Sequence, residues 1–133
     1  MPEKDESTGL TDAQLEIMQV VWDHGEITVG DVWKELSARR TLARNTVQTM
    51  MTRLEERGWL VRRAIGPIFL YRAAKPRKTT ARQAVKKLVN TLFAGSAEGL
   101  VATLLEGRTL DPAEAQRIQE MIAKAAAKKE KKS

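Results

Sequence analysis

The sequence contains no cysteine. That one absence removes disulfides, thiolate metal sites, redox-sensing thiols and cysteine nucleophiles together. Aromatic residues make up only 5% of the chain, too few for a platform of stacked bases. Histidine occurs once, at His24, where a helix-end cap or a solvated side chain is the expected role. Ser7, Ser37 and Ser96 have no base and orienting acid in any recognisable arrangement, so no nucleophilic triad is read and no enzyme is expected. No segment approaches the roughly 18 consecutive apolar residues that a membrane span needs. The first ten residues hold no apolar stretch of the kind a secretory signal requires. The expectation is a cytoplasmic protein with no membrane partner, no metal and no cofactor.

What is present is charge, unevenly placed. The chain has 133 residues and a net charge of +6, enough length for one or two small cores. Residues 1–38 carry Lys4 and Lys34 against nine acids, whereas residues 39–82 carry twelve Lys or Arg against Glu55 and Glu56 alone. A basic block of that density inside a folded stretch is the footprint of a polyanion partner. A solvated basic face is the bland alternative.

Residues 1–9 are polar and read as disordered. Three helices then follow in close succession. Thr11-Asp12-Ala13-Gln14 fits a capping box, with Leu10 and Leu15 at staple spacing. Leu15, Met18, Val21 and Trp22 share one face before His24-Gly25 ends the helix. Thr28 caps a second helix bearing Val29, Val32, Trp33 and Leu36. The third, from about Arg44 to Arg57, repeats the spacing with Val47, Met50, Met51 and Leu54, and Gly58 stops it. Trp22, Trp33 and Trp59, like the methionines, are expected as core.

After Gly58 the period changes to that of strands. Residues 59–64 and 68–73 are rich in strand formers and are separated by Ile65-Gly66-Pro67, which reads as a two-stranded hairpin with a short, uncharged tip. Three helices and a hairpin predict a mainly α fold with a small β-hairpin, a winged helix-turn-helix over residues 10–75. A helical segment over residues 76–127 and a basic tail over 128–133 follow. Its first helix, capped near Thr79 or Thr80, carries Val85, Leu88, Val89, Leu92 and Phe93. Ser96 caps a short helix with Leu100, Leu104 and Leu105, and Asp111-Pro112 starts another with Ile118, Met121 and Ile122. So short a segment rarely sustains its own core, and pairing with the same segment of a second copy is the simplest way to bury these stripes, with folding back onto the chain's own N-terminal domain as the alternative.

With Val47, Met50, Met51 and Leu54 facing inward, the third helix presents Asn45, Gln48, Thr49 and Thr52 outward. Gln or Asn can pair bidentately with adenine, and Thr offers a hydroxyl and a methyl suited to thymine. Thr46 lies beside them, Arg44, Arg53 and Arg57 suit phosphates, and wing residues Arg62, Arg63 and Arg72 extend the basic surface. Strand alternation puts Arg62 and Arg63 on opposite faces, so one of the two points away from DNA. Glu55 and Glu56, at the exposed end of the helix, read as solubilising. Double-stranded DNA and a second copy of the chain are the expected partners. A winged-helix protein-interaction module without DNA readout is the alternative.

The runs Leu10-Thr-Asp-Ala-Gln-Leu-Glu-Ile-Met-Gln-Val-Val-Trp22 and Asn45-Thr-Val-Gln-Thr-Met-Met-Thr-Arg-Leu-Glu-Glu-Arg-Gly58 resemble the penicillinase and methicillin-resistance repressor family, BlaI/MecI. The resemblance spans residues 10–125. It implies a homodimer on a palindromic operator, with an N-terminal winged helix and a C-terminal dimerisation domain. It also implies repression of β-lactamase or related genes, relieved when a sensor-transducer triggers proteolysis. The family's cleavage point falls near Thr103-Leu104, where the usual Asn-Phe pair is absent. The copper-responsive branch uses a cysteine cluster, which this composition excludes.

Overall fold

The computed structural model describes residues 8–132. Of the segment read as disordered, residues 1–7 lie outside the described residues. Thr8 and Gly9 are placed: the Leu10 amide donates to Thr8 Oγ1 at 3.2 Å, and Arg57 Nη2 donates to the Gly9 carbonyl at 3.1 Å. In chain order the elements are α1 (Asp12–His24), β1 (Glu26–Ile27), α2 (Val29–Leu36), α3 (Arg44–Glu56), β2 (Leu60–Ile65), β3 (Ile68–Ala73), α4 (Arg77–Leu92), α5 (Ala97–Glu106) and α6 (Pro112–Lys132). They form two compact units that divide after Leu88, inside α4.

In the first unit, local chemistry sets each helix end. The Thr11 hydroxyl accepts from the Gln14 amide at 3.1 Å, and the Gln14 side chain accepts from the Thr11 amide at 3.0 Å, which completes the capping box. Thr28 accepts from the Asp31 amide at 3.1 Å and starts α2. Gly25 and Gly58, at φ of 82° and 84°, end α1 and follow α3 in a conformation that side chains resist. Three helices then converge on one core. Ile17, Met18 and Val21 of α1, Val32 and Leu36 of α2, and Val47, Met51 and Leu54 of α3 are all buried, with Leu10, Leu60 and Tyr71 closing it. Each such side chain contributes roughly 1.5–3 kcal/mol by leaving water. Trp22 and Trp33 pack at its margin and satisfy their indoles, Nε1 of Trp22 donating to the Lys75 carbonyl (2.9 Å) and that of Trp33 to the Leu42 carbonyl (2.8 Å).

The wing is a three-stranded antiparallel sheet in the order β1-β3-β2, one strand more than the hairpin expected. The added strand pairs Glu26 with Arg72 and Ile27 with Tyr71. Between β2 and β3, Gly66-Pro67 forms the two-residue turn, with Gly66 at φ 56°. This order of three helices and a small sheet is a winged helix.

Two boundaries differ from the sequence reading. α4 begins at Arg77 rather than at Thr79 or Thr80, because the Pro76 carbonyl accepts from the amides of Thr79 and Thr80 and opens the helix earlier. Thr80 is consequently buried in the second turn instead of capping. At the other end, α6 continues through Lys132 where a tail was expected. Within the second unit, Ser96 caps α5 by accepting from the Gly99 amide at 2.9 Å, and Asp111 Oδ1 accepts from the Ala113 amide at the start of α6. No apolar side chain of this unit is buried among the described residues.

Candidate nucleic-acid interface

Val47, Met51 and Leu54 are fully buried, and that fixes which way α3 faces. Asn45, Gln48, Thr49, Thr52 and Arg53 consequently line one outward cleft, together with Glu56. Both threonine hydroxyls donate back along the helix, Thr49 to the Asn45 carbonyl and Thr52 to the Gln48 carbonyl, each at 3.0 Å. With their hydrogens so engaged, these hydroxyls keep acceptor lone pairs, and each residue keeps a methyl group. Thr46 is exposed on the same helix but lines neither this cleft nor the next.

A second cleft, of about 220 Å³, runs between α3, the first turn of α2 and the wing. Gln48 and Thr52 line it from α3, and Arg62 and Phe69 from the sheet. Arg44 enters it against α2: a Cβ added at Gly30 would meet Arg44 Nη2 at 3.3 Å, so the absence of a side chain there is what lets the guanidinium lie so close. Ala43, at the N-cap of α3, makes no side-chain cap bond, so the amides of Arg44 and Asn45 are left for another acceptor. Among the described residues no acid lines this cleft.

The sheet register sorts the three wing arginines. Arg62 lies opposite Tyr71, on the face that meets α3, and its guanidinium sits 4.3 Å from the centroid of the Phe69 ring. Its Nε also meets Glu55 Oε2 at 3.2 Å. Arg63 and Arg72 lie on the other face with Glu26, because Val61 pairs with Arg72 and Glu26 pairs with Arg72 across β3. Arg63 holds Glu26 through two bonds, of 2.7 and 3.0 Å. Those hydrogen bonds, helped by the charges of Arg63 and Arg72, hold the Glu26 carboxyl below its ordinary value, and Glu26 raises Arg63 in return.

The basic block is therefore only partly free in space. Arg40 pairs with Glu16 and Arg77 with Asp23, so acids of the N-terminal stretch neutralise bases of the middle one. His24, read as a cap or solvated residue, meets Glu35. Arg44 and Arg53 carry no ion pair among the described residues. Sequence reasoning missed Phe69 as a partner of Arg62. The signal was available, since the hairpin register makes them diagonal neighbours on one sheet face.

The residues expected to pair two copies lie on α4, α5 and α6. Leu92, Leu104, Leu105, Met121 and Ile122 are exposed, as is Val85, while Leu88, Val89, Phe93, Leu100 and Ile118 are half-buried. Thr103-Leu104 lies within α5, and both side chains are exposed. Among the described residues no single helix is long and apolar enough to cross a membrane.

A family model described as Penicillinase repressor matches residues 10–124. The penicillinase repressor of Bacillus licheniformis is 29% identical over 113 residues, spanning 85% of this chain and 88% of its own. The methicillin resistance regulatory protein MecI of Mammaliicoccus sciuri is 22% identical over 115 residues, or 86% of this chain and 94% of that protein. Among solved structures, a mutant MarR from E. coli has a TM-score of 0.51 at 19% identity, covering 88% of this chain and 78% of that one. The last likeness concerns the fold alone.

Proposed function

The chain belongs to the penicillinase repressor family, whose members are DNA-binding transcriptional repressors and not enzymes, and from that premise we propose how it reads an operator. α3 enters the major groove with Asn45, Gln48, Thr49 and Thr52 toward base edges. Arg44 and Arg53 take phosphates at the two ends of that face, and Arg62 takes a backbone contact from the wing. Arg63 and Arg72 stand on the far face of the sheet with Glu26, and we assign them no DNA contact. The observation that carries this reading is the orientation of α3: its apolar residues are fully buried, and its polar, amide- and hydroxyl-bearing residues line one open cleft.

The same reading extends to assembly and control. Two copies pair through the apolar faces of α4, α5 and α6 and bind a palindromic operator in the cytoplasm, controlling genes of the β-lactamase type or related ones. Repression is relieved by proteolysis under a sensor-transducer, near Thr103-Leu104. Because that bond lies within α5, cleavage requires the helix to open first.

A pool of random duplexes separates a DNA-binding repressor from a winged-helix module that binds only proteins. Arg44 and Arg53 from each of two copies, with Arg62 where it is free of Glu55, would release about four to six counterions, which predicts roughly a 10²- to 10³-fold loss of affinity between 50 and 200 mM salt. Binding that is absent, or indifferent to salt, would favour the interaction module.

A further inference from the structure

Arg62 is the one arginine of the proposed reading surface that already has an anion. Its Nε meets Glu55 Oε2 at 3.2 Å, whereas Arg44 and Arg53 carry no ion pair among the described residues. One face of its guanidinium is also covered, with the Phe69 ring centroid 4.3 Å away. The two partners come from different elements, Glu55 from the last turn of α3 and Phe69 from β3, so the arrangement ties the wing to the recognition helix. The side chains of Arg62 and Glu55 are 43% and 26% exposed, so neither is sealed from solvent, and Arg62 lines the cleft between α3 and the wing.

We propose that Glu55 is an internal counter-ion that competes with DNA phosphates for Arg62 and thereby sets the strength of sequence-independent binding. This rests on the DNA-binding reading above. A guanidinium presents its donors in one plane, and here one edge faces the carboxylate while one face is stacked. A phosphate reaching the remaining donors comes within a guanidinium's width of Glu55. That separation is well inside the Debye length of about 10 Å at 0.1 M salt, so the two anions repel with little screening. The phosphate must therefore displace the carboxylate or bind against it. Phe69 acts differently: it holds the guanidinium in place whichever anion wins, because cation–π attraction does not depend on a second charge. Glu55 and Phe69 are thus positioning residues for Arg62, with opposite expected signs.

The test is a fluorescence anisotropy titration of the full chain on a random duplex, over a series of salt concentrations. Glu55→Gln keeps the size and the acceptor oxygen but removes the charge. It should tighten binding about three- to tenfold near 0.1 M salt and steepen the slope of log K against log salt by up to about 1.8, the contribution of one phosphate in each of two copies. The gain should vanish in the Glu55→Gln/Arg62→Ala double variant, since the competition needs Arg62. Phe69→Leu should weaken binding, and melting temperatures report that each variant is folded. Unchanged or weaker binding by Glu55→Gln would overturn the proposal. So would a gain that persists without Arg62, because Glu55 would then repel DNA at large. If the wild type itself shows no salt-dependent binding, the DNA-binding reading falls and the proposal with it, an outcome separate from a wild type that binds normally beside an inert Glu55→Gln.

Discussion

Leu92→Asp is expected to turn the protein into a monomer by light scattering at micromolar concentration and to weaken operator binding by roughly 10²–10⁴-fold. The first of these effects follows from where apolar surface is buried. Every buried hydrophobic residue among those described falls at or before Tyr71. The unit from Val89 onward buries none, while Leu92 is 72% exposed and Met121 is 65% exposed. A segment of that length does not hold a fold on such contacts alone, and a second copy offers it the same stripes in return. A carboxylate in the middle of such a face would lose its water without a partner. The affinity loss follows from valency, because a dimer places its second reading head at a high effective concentration over the second half-site. The tryptophans all lie in the first unit, so their near-UV signal should be unchanged in the variant. A Leu92→Asp protein that scatters as a dimer would place the interface elsewhere.

The second large effect is expected from Leu54→Ala. Leu54 is fully buried on the inner face of α3, against the core that also holds Met51 and Val47. Removing it forfeits transfer free energy and leaves a cavity, a loss of about 2–5 kcal/mol for a site that cannot collapse. For a domain of this size that corresponds to a fall in Tm on the order of 10–30 °C. Well below the new Tm the folded fraction should still bind DNA within a few-fold of the wild type, since Leu54 touches no ligand in this account. A shift of only a few degrees by differential scanning calorimetry would mean that α3 is held by something other than its core face.

Features carried by a few adjacent residues were legible in the sequence. The capping box at Thr11 and Gln14, the cap at Thr28, the Ser96 cap and the Asp111-Pro112 start all stand where the spacing puts them. So does the buried face of α3, because Val47, Met51 and Leu54 repeat at helical spacing. What failed was either too short or too distant to leave a pattern. β1 has two residues, fewer than any alternation can reveal. The start of α4 was missed because the threonines suggest side-chain caps, whereas the Pro76 carbonyl opens the helix. At the candidate site, alternation separated Arg62 from Arg63 but could not say which faced α3. Deciding that needed Glu26, thirty-seven residues away from Arg63 in the chain. Glu55, read as solubilising, is the partner of Arg62, a pairing set by the turn between α3 and β2 and not by any periodic spacing.

If the outer face of α3 reads bases, Gln48 is the residue to test, because it lines both clefts and its side-chain amide can pair bidentately with adenine. The most direct measurement compares wild type and Gln48→Ala on an operator selected from a random library and on the unselected pool, at one salt concentration. A lost bidentate pair predicts a drop of about 1–3 kcal/mol on the operator, or roughly 5- to 150-fold, with affinity for the pool unchanged. An equal loss on both would contradict it, and would leave α3 gripping the backbone without reading the sequence.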